Sequence, residues 1–164
     1  MLTLPKLVTR EAQPYVGMRR TVTIPFGNVV EATMPKLFQW VGQHGVEPVG
    51  PPLFKYNVID MGRGIELEFA VPTARLLIAD DEVVVGTLPA GRYATLTLHG
   101  HYDKLMEATA ALIGWARERG ISWDSQMTAQ GERFAGRFEV YPNDPREVPN
   151  PDDWETEIWI KTKD

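Results

Sequence analysis

Three histidines, His44, His99 and His101, are the first residues to weigh for chemistry, since imidazoles hold metals and move protons. No H-x-x-E-H or H-E-x-x-H spacing accompanies them, so no metal is expected and they read as surface or loop residues. Neither serine, Ser122 or Ser125, lies in G-x-S-x-G, which excludes an α/β-hydrolase nucleophile. There is no Walker sequence. Cysteine is absent, which removes disulfides, thiolate zinc sites, iron–sulfur clusters and a thiol nucleophile together. Gly62-Arg63-Gly64 starts like a dinucleotide fingerprint, but Leu67 stands where the third glycine belongs and the segment reads as a hairpin turn. No cofactor is expected.

What remains are acids and aromatics on alternating segments. Arg137, Glu139 and Tyr141 share one strand face, with Phe138 and Val140 on the other. On that pattern alone, a solvated carboxylate is the simpler reading for Glu139. Should the apolar face pack under a helix, Glu139 and Tyr141 would instead face a cleft. Tyr56 alternates with Phe54 and Val58, as core or as pocket lining. Trp123, in a polar loop, either covers a pocket or plugs the core edge. Glu66 and Glu68 point away from Leu67 and Phe69 and read as a solvated face, whereas Trp40 and Trp115 sit at helical spacing and read as core.

These residues need a scaffold, and 164 residues at 18.5 kDa suffice for one domain, taken as residues 1–164. Aromatic side chains make up 10% of the chain, enough apolar surface to order it, and 13 prolines argue for many turns rather than a helical bundle. The net charge of -5 removes the attraction to phosphate backbones that dominates nucleic-acid affinity, so no direct nucleic-acid partner is expected. No apolar run approaches the roughly 20 residues of a membrane helix, and Met1 to Gln13 holds no secretory hydrophobic region, which points to the cytoplasm and to no membrane partner.

Val16, Met18, Val22 and Ile24 alternate as a strand, and Val30, Met34, Leu37, Phe38 and Val41 then recur at helical spacing up to Gly45. Asn28 and Glu31 resemble a capping box, and Pro35 either bends this helix or marks the first turn of a shorter one. Strands follow over Phe54 to Asp60 and Ile65 to Val71, and a less regular pair over Leu76 to Ala79 and Val83 to Leu88. The order then recurs: strand Arg92 to Leu98, a helix carrying Leu105, Leu112 and Ala116 to a stop at Gly120, and strands Phe134 to Tyr141 and Glu155 to Lys161. Leu37-Phe38-Gln39-Trp40 is echoed by Leu112-Ile113-Gly114-Trp115, and Glu66-Leu67-Glu68 by Glu155-Thr156-Glu157. The expected fold is α+β: a tandem, pseudo-twofold duplication of a β-α-β-β unit, with repeats at about 15–75 and 88–162. It comprises an antiparallel sheet, two main helices and a central cleft suited to a small molecule.

The chain resembles the GyrI-like, or bacterial effector-binding, domains, found alone or behind the DNA-binding heads of drug-responsive transcription regulators. The resemblance rests on Leu37 with Trp40, Gly50-Pro51-Pro52-Leu53-Phe54-Lys55-Tyr56, Glu66-Leu67-Glu68, Leu88-Pro89-Ala90-Gly91-Arg92-Tyr93-Ala94 and His99-Gly100-His101-Tyr102-Asp103-Lys104-Leu105. Trp115, Phe138-Glu139-Val140-Tyr141-Pro142-Asn143-Asp144-Pro145 and Glu155-Thr156-Glu157-Ile158 complete it, in order, from about Tyr15 to Thr162. It implies a pocket between the repeats for lipophilic, often cationic, aromatic molecules, with a buried acid as counter-charge, here Glu139. The ligand-binding set it suggests is Glu139, Tyr141, Tyr56, Phe54, Trp123 and Met18. Two alternatives come with the family. One is hydrolysis of cyclopropane-bearing toxins, with Glu139 activating water and Tyr141 orienting the substrate or donating a proton; the other is protection of DNA gyrase, a protein-partner role.

Overall fold

The alternating segments and the two helical stripes resolve, in a computed structural model describing all 164 residues, into ten strands and two α-helices. In chain order these are β1 (Lys6–Arg10), β2 (Gln13–Val22), α1 (Gly27–Gln43), β3 (Leu53–Asp60), β4 (Gly64–Pro72) and β5 (Val84–Leu88). Then come β6 (Gly91–His99), α2 (Leu105–Glu118), β7 (Ser125–Thr128), β8 (Gly131–Phe134), β9 (Arg137–Val140) and β10 (Glu155–Lys161), with single 3-10 turns at Tyr102–Lys104 and Pro151–Asp153. All pairings are antiparallel, and the sheet runs β1-β6-β10-β9-β3-β4-β2-β5, with the β7-β8 hairpin attached beside β3.

That order reads the same from either end. About the β9-β3 seam, β10 answers β4, β6 answers β2, and β1 answers β5. The duplicated unit is therefore visible in the pairing, with one addition that strand periodicity did not reveal. The leading strand of each half pairs with the other half: β1 adds to β6, and β5 adds to β2.

Both helices lie on one side of the sheet. α1 buries Thr33, Leu37, Trp40 and Val41 against Val16, Met18 and Val71. α2 buries Ala108, Leu112 and Ala116, and packs on Ala94, Leu96, Leu98, Ile158 and Ile160. Each helix is followed by a glycine in the left-handed region, Gly45 at φ 63° and Gly120 at φ 67°, the stop that its position suggested. Tyr15, Leu53, Ala70, Leu88, Tyr93, Phe138 and Val140 form a further core on the opposite side, without any helical residue. Burying seven such residues without a helix requires the sheet to curl over itself, and the guanidinium of Arg10, from edge strand β1, closes over the rings of Phe138 and Trp159 at 5.1 and 4.4 Å.

Several local expectations are corrected. α1 begins at Gly27 with Phe26 as its N-cap and no side-chain cap, so Asn28 already lies in the first turn and forms no capping box with Glu31. The helix runs unbroken through Pro35, because the stripe of Thr33, Leu37, Trp40 and Val41 packs on both sides of the one hydrogen bond that proline removes. Leu76–Ala79 is not a strand. Asp80 draws that loop onto α1 instead, its carboxylate accepting from Trp40 Nε1 at 2.9 Å and from the backbone N–H groups of Glu82 and Val83. The strand expected over Phe134 to Tyr141 breaks at Ala135-Gly136, where a Cβ on Gly136 would lie 2.6 Å from the Tyr93 hydroxyl. Glu68 is not solvated: at 2% exposure it accepts from Tyr15 Oη and from Arg19 Nε and Nη2 at 2.9 and 2.7 Å. Burial alone would lift its pKa, but these donors and the nearby Lys55 charge outweigh burial and hold it below the usual range.

Candidate functional site

One row of paired residues crosses six strands on the helical side: Leu96, Ile158, Glu139, Phe54, Phe69 and Met18. Every member is apolar except Glu139, which sits at the β9-β3 seam where the two halves meet. Alternation along β9 places Arg137 and Tyr141 on the same side as Glu139. Phe138 and Val140 face the other core, so the apolar face of β9 packs within the curl of the sheet and the acidic face looks toward the helices, the reverse of the arrangement considered from the sequence.

Glu139 is 9% exposed. Its Oε1 accepts from Tyr56 Oη at 2.7 Å and from Tyr141 Oη at 2.6 Å, while Oε2 accepts nothing from the protein. Burial raises the pKa of Glu139; the two phenol donors and Arg137 pull the other way without cancelling it. Burial, together with the adjoining carboxylate, also pushes Tyr56 and Tyr141 well above the ordinary phenol range, so both are neutral donors. Arg137 is itself shifted down by burial and lies over the Phe134 ring at 4.7 Å.

Around this carboxylate the aromatic rings form a connected series. Phe54 contacts Phe69 edge-on at 4.7 Å and Tyr141 at 4.5 Å; Tyr141 meets Tyr102 at 5.7 Å; Tyr102 stacks on Trp154 at 4.7 Å; His101 tilts against Trp154 at 5.2 Å. The series leads from the buried acid to the half-exposed His101. A carboxylate with one free oxygen, two neutral phenols and stacked rings can accept a hydrogen bond or a positive charge while apolar surface is buried beside it.

Of the residues singled out from the sequence, Glu139, Tyr141, Tyr56 and Phe54 come together here. Met18 ends the same row three strands from Glu139, about 14 Å away at normal strand spacing, within the α1 core. Trp123 packs against the α2 core and bridges to Thr162, apart from this cluster. Tyr102 and Trp154 are outside the expected binding set although they complete the series; the signal for Trp154 was its alternation with Ile158. The histidines are dispersed: His44 stacks on Trp40, His99 pairs with Glu155 at 3.5 Å, and His101 Nδ1 accepts from the Asp103 N–H at 3.0 Å. No three acidic or histidine side chains converge in a metal-binding arrangement.

The fold is thus a curled antiparallel sheet built from two β-α-β-β halves, with an acid among aromatics at their seam. The sequence profile of the GyrI-like small-molecule-binding domain matches residues 4–163, and the chain belongs to that family. No curated protein matches it by sequence. Among solved structures, the C-terminal domain of EcmrR is similar at TM-score 0.75 and 17% identity, with 98% of this chain and 97% of that one covered. The chain spans only 57% of the EcmrR chain seen in a DNA complex, at TM-score 0.74. SAV2435 bound to tetraphenylphosphonium is similar at TM-score 0.58 and 16% identity, covering 98% and 94%. A hydrolase from Listeria innocua gives TM-score 0.64 and 11% identity, covering 97% and 91%. At these identities the likenesses concern the fold alone. No helix is long and apolar enough to cross a membrane.

Proposed function

We propose that this chain binds a lipophilic, aromatic or cationic small molecule at Glu139, as a sensor or sequestering protein. The observation that carries the reading is the Glu139 carboxylate, nine-tenths buried, with both tyrosine donors on Oε1 and none on Oε2. A carboxylate so withdrawn from water gains most from a positive or hydrogen-donating partner, and each ring that meets a cation face-on adds about 0.5–2 kcal/mol. The tetraphenylphosphonium held by the similarly folded SAV2435 supports the choice of probe. Titration of intrinsic tryptophan fluorescence with tetraphenylphosphonium tests it: Glu139→Gln weakens binding about tenfold or more, whereas equal affinity for the two proteins overturns the reading.

A second reading, hydrolysis of strained cyclopropane-bearing compounds, draws on the upward pKa shift of Glu139 and on Tyr141 at 2.6 Å from it. A carboxylate raised by burial is a better proton acceptor near neutral pH, and a neutral phenol can hold or protonate the leaving atom. Substrate loss followed for wild type and Glu139→Gln separates it from binding, and turnover that survives the substitution removes Glu139 from any mechanism.

A further inference from the structure

Thr156 Oγ1 is the one fully buried side-chain polar atom in the protein without a hydrogen-bond partner. The residue is 0% exposed, second in strand β10, where valine would fill the same space without an unpaired hydroxyl. Its position explains what the hydroxyl is near. Trp154, Thr156 and Ile158 alternate onto the helical side, and Ile158 is the direct partner of Glu139, so Thr156 lies diagonally from the acid with Cβ atoms about 7 Å apart. The partner of the neighbouring Glu157 is Val140, which brings Thr156 beside Tyr141. Tyr102 touches the rings of both Tyr141 and Trp154 and so bridges the aromatic residues on either side of Thr156. Of the five tyrosines, four donate their hydroxyl to a carboxylate or carbonyl oxygen, and Tyr102 alone does not. The Tyr102 ring, which meets the two aromatic neighbours of Thr156, is held by ring contacts only.

We propose that Thr156 is a ligand-binding residue whose hydroxyl pairs with a polar group on the ligand once the Tyr102 ring swings aside. This rests on the reading of Glu139 given above and narrows it. The preferred ligand is a flat, apolar molecule with a hydrogen-bonding group about 7 Å from the atom that meets Glu139, rather than a cation with no such group.

Two probes separate the cases. Tetraphenylphosphonium has no hydrogen-bonding group, and ethidium is a planar cation with two exocyclic amines; each is titrated against wild type, Thr156→Val, Thr156→Ser and Glu139→Gln. Thr156→Val is expected to weaken ethidium about three- to tenfold, to leave tetraphenylphosphonium within about twofold, and to melt no lower than wild type, since it removes an unpaired hydroxyl. Thr156→Ser, which keeps the hydroxyl, is expected to hold ethidium near the wild-type affinity. Unchanged ethidium affinity in Thr156→Val, or equal weakening of both probes, overturns the proposal. If Glu139→Gln weakens both probes while Thr156→Val weakens neither, only this inference falls. If Glu139→Gln changes neither, or the wild type binds neither, the underlying reading falls as well.

Discussion

Tyr56→Phe deletes one O–H and leaves the ring, which makes it a clean probe of the buried carboxylate. The lost bond is the 2.7 Å donation to Glu139 Oε1. A hydrogen bond to a charged, buried acceptor contributes about 1.5–3 kcal/mol, and at about 2–4 °C per kcal/mol for a chain of this size the melting temperature falls by about 3–12 °C. In a Glu139→Gln background the acceptor is neutral, the same deletion costs about 0.5–1.5 kcal/mol, and a double-mutant cycle returns a coupling of about 1 kcal/mol or more. The pH dependence has a definite sign. Burial raises the folded pKa of Glu139, so the native state holds that proton more tightly than the unfolded chain does. The stability due to proton binding is complete below the unfolded pKa and is lost as pH rises through the folded one. The penalty of Tyr56→Phe therefore shrinks on acidification, once Glu139 becomes neutral. Denaturant unfolding of the four proteins at neutral and mildly acidic pH measures both effects. Equal losses from Tyr56→Phe in the two backgrounds would refute the energetic link between phenol and carboxylate.

Two further outcomes concern the scaffold. Glu68→Gln is expected to cost about 1–3 kcal/mol at neutral pH, discounted because the partner Arg19 is half exposed. Because the folded pKa of Glu68 is depressed, its contribution is present above about pH 4.3 and disappears as pH falls through the folded value, so urea midpoints of wild type and variant converge in acid. Gly17→Ala would put a Cβ 2.6 Å from the Phe69 carbonyl oxygen, a backbone atom that cannot step aside; a loss of about 1–3 kcal/mol in urea unfolding is expected, with the m-value unchanged.

The duplication was legible because each half repeats its buried positions: Leu37 with Trp40 and Leu112 with Trp115, and Leu67 between two glutamates against Thr156 between two more. Strand alternation likewise put Glu139 with Tyr141, and Phe54 with Tyr56, on common faces. It could not say which face the helices cover, because that depends on how the sheet curls, and Phe138 and Val140 are buried on the far side without a helix. The same gap hid Glu68. Its burial depends on the β2-β4 register that sets Arg19 opposite it and on Tyr15, and a Glu-Leu-Glu alternation is identical whether that face is wet or dry. β1, β7 and β8 escaped notice because they are strands of four or five residues whose partners supply most of their order. Tyr102 and Trp154 lie far apart in the sequence, and only the fold brings them into a stack.

The exchange of leading strands between the halves has a mechanical result. Severing the chain between β4 and β5 would take from each fragment the ribbon that borders its own outer edge, since β1 stays with the first fragment while its seat on β6 goes with the second, and β5 stays with the second while its seat on β2 goes with the first. The halves are thus clasped like interlocked fingers, and each borrowed strand must part from its host before the two can separate.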